Sequence, residues 1–470
     1  MKKLFSLLLA ATMTFSLTLP ALADHYTYSE PEKSTMMPRS TPETHGMSSQ
    51  YILDLLDAFD YADAEVHNIL MAIDGEVVFE GHYAPYTALD PHIMFSGTKI
   101  FTNAAVGVAV TEGYLHLDDY VYDVLKDYVT QDVSELQSKV QLKHLLTMTS
   151  GVDRFMSGSE LRPLTTSWIE HILTEPIVHE PGTYYLYSSG NTMLSSAMVT
   201  VATGKTCLEL LNTTGFCEEL GIKNFTWDMI PDGFNAGHGG IKITAEDLAK
   251  VGQLYMNGGV WNGKQILSKE WCDLAIGYEK TVENQGDYAY HWTSYEDGLY
   301  YTATGSYGQT LAICPKLNMV IAIQAGTKQN IGELLYQNIF KPYGDALDAG
   351  TVPEPDDALS AALAKRAENL NLMFTTDFTA SPIGELVDDV TFTAAENQYG
   401  ITTLSLDVHD DYIDYTMTDA RGTHTIRNGI WQWLKGETSM TSNYTHHQYQ
   451  YPTEPVYAYA EWKDANTLQL

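Results

Sequence analysis

The chain predicts an α/β fold of the α+β kind: an antiparallel sheet flanked by helices, an all-helical region between its strands, and a small β-rich region at the C-terminal end. Three observations carry this. Two strand-like runs, Asn68 to Ile73 and Val77 to Tyr83, are joined by Asp74-Gly75, a dipeptide that favours a two-residue hairpin turn. A mostly helical middle third follows before strand character returns at Tyr288 to Trp292, Leu299 to Ala303 and Gln309 to Ile323, the last with a turn at Pro315-Lys316-Leu317-Asn318. Near Ala349 the texture changes to a polar, proline-bearing linker and then to alternating strands rich in Tyr and Trp.

Each element has a local reason. Ile52, Leu55, Leu56 and Phe59 recur at helical spacing, so an amphipathic helix begins near Met47. A long apolar run after Ser96 is helical in pattern and closes at Gly113. Leu142 to Leu146 and Met193 to Ala202 read as helices of the middle region. Thr244-Ala245-Glu246-Asp247 joins a capping hydroxyl to an acidic first turn, and the helix it starts runs to Met256, ending at Asn257-Gly258-Gly259. Ala358 to Leu370 forms a short helix after the linker. Leu404/Leu406/Val408 and Ile413/Tyr415/Met417 then alternate on either side of His409-Asp410-Asp411. The expected divisions are residues 1–23, 24–349, 350–371 and 372–470: a leader, the main domain, a linker with its helix, and an accessory β-domain. Leu468-Gln469-Leu470 still carries strand pattern, so the natural protein is open to continuation.

Met1-Lys2-Lys3, an apolar stretch from Leu4 to Leu19 and Pro20-Ala21-Leu22-Ala23 compose a secretory signal peptide cleaved after Ala23. The protein is therefore expected to be periplasmic or extracellular, and no later segment is apolar enough to span a bilayer. Sixty acidic against 26 basic residues give a net charge of −34, spread along the chain. Such a field repels nucleic acid and anionic membrane, which excludes both as partners. Of the four cysteines, Cys207 and Cys217 are close enough in sequence to pair, whereas Cys272 and Cys314 read as small core residues. No Cys/His spacing resembles a metal site, and no cofactor is expected. A small-molecule or peptide substrate is the expected partner; oligomeric state is not encoded in anything legible here.

Chemistry enters at Phe95-Ser96-Gly97-Thr98-Lys99: with Ser96 opening the apolar helix, a hydroxyl and an amine stand one helical turn apart on one face. A serine hydroxyl is a poor nucleophile at neutral pH. A lysine withdrawn from water gives up proton affinity in general, and can then take the proton of a neighbouring serine. One Ser-x-x-Lys is within what chance supplies in a chain this long, so its companions matter. Pro181-Gly182-Thr183-Tyr184-Tyr185-Leu186-Tyr187-Ser188-Ser189-Gly190-Asn191 offers Tyr187 as a proton shuttle beside Lys99. Ala303-Thr304-Gly305-Ser306-Tyr307-Gly308-Gln309 is a small-residue strand end along which a carbonyl substrate can meet backbone N–H groups.

The order and setting of these three motifs resemble the serine β-lactamase-related family, the group of class C β-lactamases and D-alanyl-D-alanine peptidases. Asp74-Gly75-Glu76-Val77-Val78, Leu145-Leu146-Thr147-Met148-Thr149-Ser150-Gly151, Thr244 to Ala249, Gly252-Gln253-Leu254-Tyr255 and Gly308-Gln309 add to the likeness, which covers roughly residues 45–345. The resemblance implies a β-lactamase/transpeptidase-like fold, Ser96 as the acyl-enzyme nucleophile, Lys99 and Tyr187 as general base and acid, and an oxyanion hole from the backbone N–H groups of Ser96 and Ser306. It also makes Ser189, Ala303, Gly305 and Tyr307 candidates for binding substrate.

Two positions depart from the family pattern. The tyrosine motif often reads Tyr-x-Asn, and Ser189 holds the Asn place; the third motif usually starts with Lys or His, and here starts with Ala303. In β-lactamases that cation helps bind the antibiotic's carboxylate, so its replacement argues against a β-lactamase. The Tyr-x-Ser-Gly-Asn form looks more like the branch of 6-aminohexanoate-dimer hydrolases and related esterases. The expectation is an exported serine hydrolase of amides or esters. A D-amino-acid peptidase or carboxypeptidase acting on cell-wall peptides, a true β-lactamase and a non-catalytic peptidoglycan-binding relative are the alternatives.

Overall fold

A computed structural model describes residues 33–470 apart from 162–163, 165, 278–281, 283, 285, 373–380 and 441–452. The leader expected at residues 1–23 lies outside the described residues. Chain order begins with helix α1 (Ser49–Tyr61), strands β1 (Val66–Ile73) and β2 (Glu76–His82), and helix α2 (Lys99–Thr111). Helices α3 (Ser189–Thr203) and α4 (Ala245–Met256) lead to β3 (Tyr288–Ala289), β4 (Trp292–Tyr295), β5 (Tyr300–Gly305), β6 (Gln309–Cys314) and β7 (Met319–Ala325). These seven strands form one sheet in the order β2-β1-β7-β6-β5-β4-β3, with neighbouring strands antiparallel.

The central strands are covered on both faces, which is why β1, β6 and β7 are buried at every residue. Ile69, Met71 and Ile73 face one layer, with Ile52, Leu55, Leu56 and Phe59 of α1 and the helical run 331–349. Leu70 and Ala72 face the other, with α2, α3 and α4. Alternate residues of a strand point to opposite faces, so one strand serves two cores. At Asp74-Gly75, φ values of 53° and 80° give the paired left-handed turn that the dipeptide predicts. Thr244 caps α4 by accepting from the Asp247 N–H at 3.2 Å.

A helix α5 (Asp357–Glu368), capped by Asp356, follows the linker. Beyond it a second, curled sheet contains β8 (Val390–Thr393), β9 (Thr403–Val408), β10 (Tyr412–Asp419), β11 (Gly422–Ile430), β12 (Leu434–Thr438), β13 (Glu454–Asp464) and β14 (Thr467–Gln469). Its order is β8-β9-β10-β11-β13-β12, with β14 on β13, and only the β11–β13 pairing is parallel. Leu404, Leu406 and Val408 pair with Met417, Tyr415 and Ile413, the register that the alternating pattern implies. The Tyr457 hydroxyl of β13 lies 3.1 Å from both Asp90 carboxylate oxygens, joining this sheet to the loop that leads into Ser96.

One expectation changes, and one open pairing is resolved. Ser96 does not open the α-helix: it sits in a 3₁₀ turn, Phe95–Thr98, and α2 begins at Lys99. Cys207 and Cys217 do not pair, and all four cysteines are free thiols. The Cys207 Sγ turns to Ser196 Oγ of α3, 3.3 Å away, whereas Cys217 belongs to the next short helix, Phe216–Leu220. Burial pushes both thiols up to about 12.

Candidate active site

The turn that carries Ser96 is held from both sides. His92–Ile93 pairs with Ile241–Ile243 in a small sheet, and the Met94 N–H donates to the Ile241 carbonyl at 2.9 Å. Phe95 then takes φ 45°, a left-handed value that a bulky residue adopts only when its surroundings impose it. Such strain is common where a fold must present one side chain, here Ser96. In a 3₁₀ turn residues i and i+3 eclipse, and so Lys99 comes directly over Ser96.

Lys99 is almost wholly buried, at 2% exposure. Its Nζ donates to Ser96 Oγ at 3.0 Å and to the His238 carbonyl at 3.1 Å, and lies 5.0 Å from the centre of the Tyr187 ring. No ion pair joins it to a described carboxylate. Tyr187 is fixed by backbone bonds on either side, from Leu186 N–H to the Met148 carbonyl and from Ser189 N–H to the Met156 carbonyl. Its ring stacks near Phe155, 6.0 Å between centres, and meets Tyr288 edge-on at 5.4 Å. Burial, with Tyr187 and Tyr185 adding, raises Tyr288 well above the ordinary phenol range.

The third motif closes the site. A Cβ on Gly305 would stand 2.0 Å from the Met94 carbonyl oxygen, so the end of β5 can lie on the nucleophile turn only as glycine. Gly305→Ala should push β5 and Ser306 away from Ser96. An expected loss of about 10²-fold in kcat/KM follows from a displacement near 1 Å, with the melting temperature changing far less. Steady-state kinetics and a thermal melt check this together; full activity in the variant would contradict the packing.

Ser96 and Ser306 are the two residues shared by a pair of adjoining cavities. The larger, about 450 Å³, is also lined by Tyr185, Tyr187, Asp287, His291 and Thr304. The smaller, about 210 Å³, includes Phe155, Ser157, Ser189 and Gly239. A reacting carbonyl at Ser96 therefore has space on two sides, as a bond to be cleaved requires. Of the sequence candidates, Ser96, Lys99, Tyr187, Ser189, Gly305 and Ser306 come together here. Ala303 does not line either cavity: it is buried in the core with Leu311 as its strand partner, and Thr304 takes the cavity side. Tyr307, at φ 62°, packs its ring 5.5 Å from Phe95, also outside the two linings.

Two residues of the site gave no motif signal. The Asn103 amide, one turn along α2 from Lys99, donates to the Tyr290 carbonyl at 2.9 Å. Its oxygen accepts from Tyr255 at 2.6 Å and from the Trp271 indole at 3.0 Å. This junction fixes the β3–β4 turn, whose next residue, His291, bonds through Nδ1 to the Lys99 carbonyl at 2.8 Å. Periodic apolar spacing marks α2, but not these contacts, which join residues 152 to 192 positions apart.

The Beta-lactamase family model matches residues 67–341, more than half of the chain, and the chain belongs to that family. It thus falls in the class of β-lactamase-related serine hydrolases, with the β-lactamase/transpeptidase-like fold. Among particular relatives, the 6-aminohexanoate-dimer hydrolase of Paenarthrobacter ureafaciens is 24% identical over 274 residues, 52% of this chain and 69% of the relative. FmtA from Staphylococcus aureus superposes with a TM-score of 0.52 at 14% identity, covering 68% of this chain and 91% of FmtA. A family VIII carboxylesterase gives a TM-score of 0.50 at 13% identity, over 65% and 98% of the two chains. Among the described residues no helix is long and apolar enough to cross a membrane.

Proposed function

We propose that the chain is an exported serine hydrolase that cleaves an amide or ester through an acyl-enzyme on Ser96. The observation that carries this reading is the 3.0 Å contact between Lys99 Nζ and Ser96 Oγ at the meeting point of two cavities. Lys99 accepts the Ser96 proton as Oγ attacks the carbonyl carbon. The backbone N–H groups of Ser96 and Ser306 hold the resulting oxyanion. As the tetrahedral intermediate collapses, the proton passes through the Tyr187 hydroxyl to the leaving amine or alcohol, and the acyl group stays on Ser96. Water then attacks the ester carbonyl, gives its proton to the Lys99–Tyr187 pair, and Ser96 regains a proton as the acid departs. Export rests on the leader pattern of residues 1–23, and mass analysis of the mature protein secreted from an expressing cell should find an N-terminus at Asp24.

Neutral substrates suit the site. Among the described residues lining the two cavities none is Lys or Arg, and Asp287 places a carboxylate in the larger one. Short-chain neutral esters and amides should therefore turn over with kcat/KM at least about tenfold above carboxylate-bearing β-lactams, since bringing an anion beside an unpaired carboxylate carries the desolvation cost without a partner. A substrate panel of esters, amide oligomers, D-amino-acid amides and a chromogenic β-lactam measures this; β-lactam rates equal to those of the best neutral ester would contradict it.

A further inference from the structure

The larger cavity is lined by a histidine that the catalytic cycle does not use. His291 is 2% exposed, and its Nδ1 lies 2.8 Å from the Lys99 carbonyl oxygen. A carbonyl can only accept, so Nδ1 carries the hydrogen, and in the neutral ring Nε2 is a bare lone pair. Neutrality is secured by burial, which pushes the imidazole down to about 3. Nε2 is buried, and no described protein group donates to it. Yet His291 lines the cavity that also holds Ser96, with the Asp287 carboxylate as a second acceptor and no described Lys or Arg. A buried acceptor without a donor is destabilising until a donor reaches it.

We propose that His291 selects the substrate: its Nε2 accepts a hydrogen bond from an N–H group in the part of the substrate that fills the larger cavity. The favoured substrates then carry an amide or ammonium nitrogen beside the scissile carbonyl, and a purely ester or hydrocarbon chain leaves Nε2 without a partner. This rests on the acyl-enzyme reading of Ser96 and adds what the site recognises. His291 is a binding residue in this scheme and moves no proton.

Isosteric pairs test it. N-acetylglycyl and 4-oxopentanoyl phenyl esters differ by NH against CH₂ in the acyl part. Butanoyl esters of N-(2-hydroxyethyl)acetamide and of 5-hydroxypentan-2-one place the same difference in the leaving group. A β-alanyl against a butanoyl phenyl ester separates an ammonium from a neutral amide as the donor. After normalising kcat/KM to hydroxide-catalysed rates, the N–H member of at least one pair should be preferred tenfold or more by the unaltered enzyme. In His291→Asn the side-chain amide can still reach the Lys99 carbonyl, and Asn tolerates the 71° φ of this position, but Nε2 is gone. The preference should fall to within about twofold there, consistent with loss of one hydrogen-bonded discrimination. Normalised ratios near one in every pair for the unaltered enzyme would overturn the proposal while leaving Ser96 catalysis standing. Failure of every ester to turn over would instead remove the acyl-enzyme reading itself.

Discussion

Ser96→Ala should abolish turnover of every ester and amide that the protein accepts, with kcat falling by about 10³-fold or more and KM little changed. The reason is chemical rather than structural. Removing Oγ removes the only atom that can form the acyl bond, and the remaining oxyanion donors then assist only direct attack by water, which proceeds far more slowly. The substitution itself is mild: one polar atom is lost at a cavity wall, and Lys99 keeps its bond to the His238 carbonyl. A thermal melt should therefore be almost unmoved. An unfolded variant would lose activity without informing on mechanism, so the prediction is the combination of intact fold and lost turnover. Residual activity within tenfold of the unaltered protein would place the nucleophile elsewhere.

The second large effect is a failure of additivity. Lys99→Ala and Tyr187→Phe should each lower kcat by about 10²–10⁴-fold, the range of a positioned general acid or base. The double variant should be little worse than the poorer single one. Lys99 Nζ lies 3.0 Å from Ser96 Oγ and 5.0 Å from the centre of the Tyr187 ring, and in the proposed mechanism Lys99 and Tyr187 act on the same proton. Breaking a relay at either end stops the transfer, so the second break removes little more. Losses that multiply would mean that the residues assist separate steps. Lys99 is buried, and its truncation opens a void under Ser96, so the folded fraction of each variant must be measured before rates are compared.

Much of this protein is legible locally. Asp74-Gly75 demands a left-handed pair of residues and obtains it. Thr244 caps a helix because its hydroxyl reaches the Asp247 N–H. Leu404, Leu406 and Val408 find the partners that alternation assigns, because a one-residue slip would turn the whole apolar face outward. Ser96, Lys99 and Tyr187 share a site because one turn fixes the first two, and a family resemblance supplies the third. What stays hidden is set by distant contacts. His291 follows no periodic pattern; it matters through a bond to Lys99, 192 positions away. Asn103 is read as one residue of an apolar helix until Tyr255, Trp271 and Tyr290 converge on it. Ala303 turns to the core and Thr304 to the cavity because β5 presents alternate residues to the two sides, and the motif alone does not say which parity meets the substrate. Nearness of Cys207 and Cys217 in sequence says nothing of the direction in which each thiol points.

The central claim is that an acyl bond forms on Ser96. Incubating the protein with a fluorophosphonate, digesting it and mapping the modified residue by mass spectrometry tests that claim most directly. The account predicts one stoichiometric adduct on the peptide containing Phe95-Ser96-Gly97-Thr98-Lys99, absent from Ser96→Ala and strongly slowed in Lys99→Ala. An adduct of equal yield in Ser96→Ala, or one mapped to another serine of the unaltered protein, would contradict it.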